Sequence, residues 1–170
     1  SEMEKLRQQM LADLETLYNR CDQGAMDMDI TYWDFDYDGK IKEFHFYPWT
    51  AAEEAYATGK AGIHDAASVL ELNNAYSAAK KVIENAIQRA KDENDGKANS
   101  FHSTLGTYIT AAQIQAGDII QADINEIPDL KNSYESLTDY QKTLLSPADN
   151  EHYQALCDLY DRYQAGQVTV

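Results

Sequence analysis

The predicted fold class depends on residues 30–47, which read ITYWDFDYDGKIKEFHFY. Aromatic and β-branched residues alternate with polar ones on both sides of Asp38 and Gly39, and an Asp-Gly pair is common in tight hairpin turns. The pattern therefore predicts an antiparallel hairpin over 30–47, in which Trp33 pairs with Phe44. Because a lone hairpin is marginal in water, its aromatic face would need helices to pack against.

The rest of the sequence is typical of helices. Apolar residues recur every three or four positions over 2–22, which predicts a first amphipathic helix. Similar patterns predict further helices within 50–165, the last of them starting at Ser146-Pro147, while the polar run 92–97 predicts a break. The expected fold is therefore α+β: a mainly helical single domain over 1–170, with about five or six helices and one N-terminal, aromatic-rich hairpin.

The charge balance limits the range of partners. The chain carries 29 acidic and 14 basic side chains, a formal net charge of −15. Such a chain repels phosphates and anionic lipid surfaces, so we expect no direct nucleic-acid binding and no membrane association. We expect a basic protein as partner instead, with solubility alone as the simpler explanation of the charge.

An acid-only stretch marks the expected contact surface. From residue 22 to residue 38 there are six acidic residues and no basic one. We select Asp27, Asp29, Asp34 and Asp36 as the partner-binding residues, with their carboxylates taking the place of phosphates in a basic groove. The predicted function is a non-enzymatic inhibitor of a nuclease or another nucleic-acid enzyme, comparable to bacterial immunity proteins or phage-borne inhibitors.

Calcium binding is a weaker hypothesis. Asp34, Asp36 and Asp38 occupy positions one, three and five of a pattern that resembles an EF-hand loop over 34–45. The twelfth position holds His45 instead of the bidentate glutamate, and the flanking residues are strand-like. A hairpin turn is therefore the favoured interpretation, and no metal site is predicted; a calcium-binding module is the third functional hypothesis.

Enzymatic function is the second hypothesis. The four histidines show no metal-ligand spacing, and the glycines form no phosphate-binding loop, so neither catalytic residues nor a cofactor are predicted. An enzyme or small-ligand-binding protein whose site is built from distant residues remains the alternative.

The cysteines bear on the cellular compartment. Cys21 and Cys157 form neither a zinc motif nor a disulfide framework, which favours free thiols and a cytoplasmic location. A single bridge between them remains the alternative for an exported protein.

Overall fold

The computed structural model describes the backbone of residues 1–27, 33–35, 41–43 and 47–170, and the side chains of residues 1–19 and 50–170. Within these ranges the chain forms seven helices and two short strands. In chain order they are α1 (Glu2–Asp27), β1 (Trp33–Phe35), β2 (Ile41–Glu43), α2 (Tyr47–Asp65), α3 (Val69–Leu105), α4 (Ala111–Ala116), α5 (Gln121–Glu135), α6 (Asp139–Thr143) and α7 (Pro147–Gln164).

The α+β prediction is wrong. The described residues are mostly helical, with seven helices instead of five or six, and each strand has only three residues. The strands are antiparallel, but Trp33 lies opposite Glu43 and not Phe44. Two strands of this size cannot form a layer of a domain.

The predicted hairpin over 30–47 differs from the structure in its register and at its C-terminal end. Residues 36–40 separate β1 from β2, a longer connection than the two-residue turn, which shifts the register. Its C-terminal end is helical, because α2 begins at Tyr47 and Pro48 falls in the first turn, where a missing N–H costs little. Asp38, Gly39 and Phe44 lie outside the described residues.

The chain divides into two compact units, residues 1–93 (unit 1) and residues 94–170 (unit 2). Helix α3 contributes residues to both, and it continues through the run 92–97 that was expected to break it. The single-domain prediction stays a prediction.

Unit 1 has an apolar core built from α1, α2 and the first part of α3. Fully burying one of its leucines or isoleucines contributes about 1.5–3 kcal/mol. Its larger buried side chains are Met10, Leu14, Leu17, Ile63, Leu72 and Ile83.

Two glycines allow α2 to approach α3 closely. A Cβ atom on Gly59 would lie 2.6 Å from the Cβ of Ala79, and one on Gly62 would lie 2.9 Å from that of Ala75. Both separations are too short for carbon atoms, so only glycine fits at this helix spacing. The glycines therefore sit inside α2 and do not interrupt it.

Arg7 of α1 satisfies the end of α2. Its guanidinium donates hydrogen bonds to the carbonyl oxygens of Ile63, His64 and Ala66. The last carbonyls of a helix lack partners within the helix, so this contact replaces a C-terminal cap.

Unit 2 has an aromatic core beside its aliphatic one. The rings of Phe101, Tyr134 and Tyr153 lie with their centroids 4.2–5.6 Å apart. Around them pack the buried side chains Leu105, Ile124, Ile127, Leu130, Leu156 and Leu159.

A buried polar contact joins α3 to α6 within unit 2. The amide nitrogen of Gln141 donates to the side-chain oxygen of Asn94 at 3.0 Å, and both residues are buried. Because burying an unbonded amide is costly, this contact allows a polar residue of α3 to be buried within the run 92–97.

No helix in the described part of the chain combines the length and apolarity that a bilayer span requires.

Candidate functional site

The predicted partner-binding residues lie mostly beyond what the structure describes. Asp27 is the last residue of α1, and Asp34 is the central residue of β1, opposite Lys42. Asp29 and Asp36 lie outside the described residues, as do Asp38 and His45 of the calcium pattern. The acidic contact surface stays a prediction.

The described residues contain no candidate metal site. Among the described residues, no group of three or more His, Cys, Asp or Glu side chains is placed to hold a metal ion. The calcium hypothesis over 34–45 falls largely outside those residues and also stays a prediction.

Unit 2 is the more one-sidedly acidic of the two units. It carries eleven acidic and four basic side chains, whereas unit 1 carries eighteen and ten. Two of the four basic groups are engaged within the unit: the ammonium of Lys131 lies 5.6 Å from the Tyr160 ring, and that of Lys142 lies 4.8 Å from the Tyr134 ring. The carboxylates of unit 2 therefore greatly outnumber its available cations.

A groove of about 700 Å³ lies between α4 and α7 of this unit. Small or apolar residues form part of it, namely Ala111 and Ile114 from α4 and Ala155 from α7. The polar part of the lining comes from Gln115 of α4 and from three charged groups of α7: Asp158, Asp161 and Arg162. We call this feature the α4–α7 groove.

The N-terminal ends of both helices are fixed by local sequence. Thr110 and Gln113 form a reciprocal capping box at α4, and Gly117 ends that helix in a left-handed conformation. At α7 the hydroxyl oxygen of Ser146 accepts from the backbone N–H of Asp149, and Pro147 occupies the first turn. The groove walls are thus defined by strong start and stop signals.

Two side chains hold the segment that leads into α4. The backbone N–H of Ile109 donates to a carboxylate oxygen of Asp123 on α5 at 2.7 Å. Its carbonyl accepts from Nε2 of His152 on α7, also at 2.7 Å. The two contacts give His152 a structural role and hold the residue before the Thr110 cap of α4 against α5 and α7.

A histidine–aspartate pair lies elsewhere in unit 2. Nδ1 of His102, near the end of α3, lies 2.8 Å from both carboxylate oxygens of Asp149 in the first turn of α7. A carboxylate only accepts, so Nδ1 carries a proton, and in the neutral ring Nε2 is then the acceptor. The His102 side chain is 66% exposed, so Nε2 can meet solvent.

Cys157 is a buried free thiol. Burial raises its pKa, although a hydrogen bond from Tyr153 acts in the opposite direction. Burial is also the main reason that the pKa of Tyr153 is raised, and the hydrogen bond with Cys157 raises it further. A buried thiol that resists ionisation is a poor nucleophile, which argues against Cys157 as a reactive centre.

Unit 1 also has a groove, with different chemistry. It has a volume of about 460 Å³ and lies between α2 and α3. Its lining is mainly alanine and glycine, and Glu54 is the only charged residue among the described residues that form it. It offers little for specific recognition.

Sequence patterns identified neither the α4–α7 groove nor the His102–Asp149 pair. The pair joins residues 47 positions apart, so no spacing rule could find it. The one local signal was the predicted start of α7 at Ser146, which places Asp149 in the first turn of that helix. The Ser146 cap is present, and the Asp149 carboxylate contacts His102 as well.

No protein-family model, curated protein or solved structure matches this chain.

Proposed function

We propose that this chain is a non-enzymatic protein that binds a basic partner protein and occupies a site on it that normally receives nucleic acid. The observation that carries the proposal is the charge of unit 2, with eleven acidic side chains, four basic ones and two of the latter held over tyrosine rings. A surface of this kind accelerates encounter with a basic groove and opposes binding to acidic proteins.

The partner class follows from this chemistry. A nuclease, or another enzyme that acts on nucleic acid, presents cationic side chains spaced for phosphates, and carboxylates can take their place. The protein would then act as an immunity protein or inhibitor in a bacterial or phage setting, without binding nucleic acid itself. A cytoplasmic location is part of the proposal, and the free thiol of Cys157 is compatible with it.

Affinity capture from the native host, with identification of the bound protein, tests the proposal. We expect a basic nucleic-acid enzyme, an on-rate that falls about tenfold or more between about 0.01 and 0.15 M salt, and competition by duplex DNA or RNA. A captured partner with an acidic contact surface, or an on-rate that does not respond to salt, would contradict it.

The predicted contact residues have their own test. Reversing Asp34 and Asp36 together to lysine should weaken binding by more than about tenfold if the acid-only stretch is the contact. Reversing Glu53 and Glu54 of α2 changes the net charge equally and serves as the control. Equal effects of the two variants would show that only net charge matters.

A second candidate function is acid–base catalysis at His102. The observation in its favour is the tautomer that Asp149 imposes, which leaves the exposed Nε2 able to accept a proton. Nitrogen-15 NMR of the imidazole should show one tautomer in the wild type and a mixture in Asp149→Asn. A mixture already in the wild type would remove this candidate.

A further inference from the structure

We propose that the α4–α7 groove is the docking site for an arginine- or lysine-rich segment of the partner, with its cationic groups on Asp158 and Asp161. This inference rests on the proposed function and specifies its contact surface. Three features of the groove support this inference: its open shape, its two carboxylates without an ion-pair partner, and the apolar residues beside them.

The two carboxylates share one side of α7. Residues three apart on a helix are neighbours, with Cβ atoms about 5–6 Å apart, so Asp158 and Asp161 point to the same region of the groove. One guanidinium can bridge carboxylates at this spacing, or two adjacent cationic side chains can take one each. Glu151 lies seven positions before Asp158 and extends the same stripe along α7.

Neither carboxylate has a cationic partner. Among the described residues, no basic nitrogen lies within ion-pair distance of Asp158 or Asp161, and Asp158 accepts only from the neutral amide of Gln154 at 3.0 Å. The groove therefore offers two carboxylates without an ion-pair partner, against the single cation of Arg162.

The rest of the lining suits the long stems of basic side chains. Ala111, Ile114 and Ala155 provide apolar surface next to the carboxylates. Lysine and arginine can lay their methylene groups on such surface while their charged ends reach an acid. An open groove of about 700 Å³ fits several residues of an extended segment better than one small molecule, which it could not enclose.

Removing Arg162 should change the affinity for a basic segment in the opposite direction to removing the carboxylates. Arg162 lines the groove and forms no ion pair with the described residues. Its charge opposes an incoming cation, so removing it should strengthen binding, whereas a partner that brings an acidic group would lose affinity. The Arg162 variant therefore distinguishes a cationic occupant from an acidic one.

The experiment uses the full chain and a fluorescent peptide of six arginines, with affinity measured by anisotropy at low salt. Asp158→Asn with Asp161→Asn should raise Kd about tenfold, since each exposed ion pair contributes a factor of up to about five. The matched control, Asp95→Asn with Asp129→Asn, removes the same charge from exposed positions of unit 2 and should change Kd less than about threefold.

The cation is tested in the same way. Arg162→Gln should lower Kd about two- to threefold, whereas Lys97→Gln, which makes an equal change in net charge on α3, should change it less. NMR shift changes on adding the peptide should centre on α4 and α7, and circular dichroism should show unchanged helicity in every variant.

The peptide measurements distinguish a wrong docking site from a wrong class of partner. Wild-type binding that the groove variants and their controls weaken equally would overturn the groove and leave a basic partner in place. No binding by the wild type would overturn the groove and count against the proposed function as well. Tighter binding by the groove variant would exclude a cationic occupant.

Discussion

In unit 1 glycine and alanine let α2 and α3 come close together, whereas in unit 2 large aromatic rings fill the space between α3, α5 and α7. Gly59 and Ala79 set the spacing in the first unit, and Phe101, Tyr134 and Tyr153 fill the second. The first arrangement tolerates no added volume, and the second tolerates no lost volume. The contrast teaches that each unit should fail by the opposite kind of substitution.

Deleting a ring from unit 2 should have the largest effect. Phe101→Ala removes a buried side chain in contact with two tyrosines, and such a cavity costs about 3–5 kcal/mol of unfolding free energy. Native-state hydrogen exchange of the α7 amides measures the loss where it occurs. A change below about 1 kcal/mol would show that unit 2 collapses around the cavity and is not rigidly packed.

Adding one methyl group to unit 1 should have the next largest effect. Gly59→Ala places a carbon 2.6 Å from the Cβ of Ala79, and overpacking of this kind costs about 1–3 kcal/mol. Gly96→Ala is the control, because Gly96 is also in a helix but has no atom within 4 Å of the added carbon. It should stabilise by up to about 1 kcal/mol through helix propensity.

Urea unfolding of both glycine variants measures whether each substitution lowers or raises the free energy of unfolding. Destabilisation by Gly59→Ala and slight stabilisation by Gly96→Ala would confirm that close helix approach is special to unit 1. Stabilisation by both would mean that α2 and α3 separate easily.

Alkaline pH should weaken unit 2. Burial raises the pKa of Tyr153 and of Cys157, so the unfolded chain releases these protons at lower pH than the folded one. Their contribution is therefore complete below about pH 8.5 and is lost as pH rises past about 10, at up to about 1.4 kcal/mol per pH unit for each group.

Thermal unfolding from pH 8 to pH 11 follows this loss. Tyr153→Phe keeps the ring and removes the titrating hydroxyl, so its melting temperature should fall less steeply with pH than that of the wild type. Parallel curves would assign the alkaline loss to other groups.

Breaking the His102–Asp149 pair should have the smallest effect on stability. Asp149→Asn weakens a hydrogen-bonded pair whose histidine is largely exposed, and exposed polar pairs contribute about 0–1 kcal/mol. Ser146→Ala, which removes the cap of the same helix, should cost about 1 kcal/mol and gives the scale. A loss from Asp149→Asn well above that of Ser146→Ala would make the pair a structural element and not a candidate site.

The sequence by itself determined the features that depend on neighbouring residues. The start of α7 at Ser146 and Pro147 follows from capping and from proline's fixed geometry, and both lie where the sequence predicted. The apolar period of the first helix is equally local, although α1 continues past the predicted end at residue 22 to Asp27. The acidic charge, too, needs no structure to be read.

The tertiary structure alone decided the features that depend on residues far apart in the chain. Helix α3 continues through the polar run 92–97, where Gln141 donates a hydrogen bond to the buried Asn94. Gly59 lies inside α2, at a position where Ala79 leaves no room for a side chain. The α4–α7 groove and the meeting of His102 with Asp149 arise in the same way. A local pattern fixes what one segment prefers, but long-range contacts decide which preference is satisfied, because burial and hydrogen bonding outweigh the small differences in local propensity.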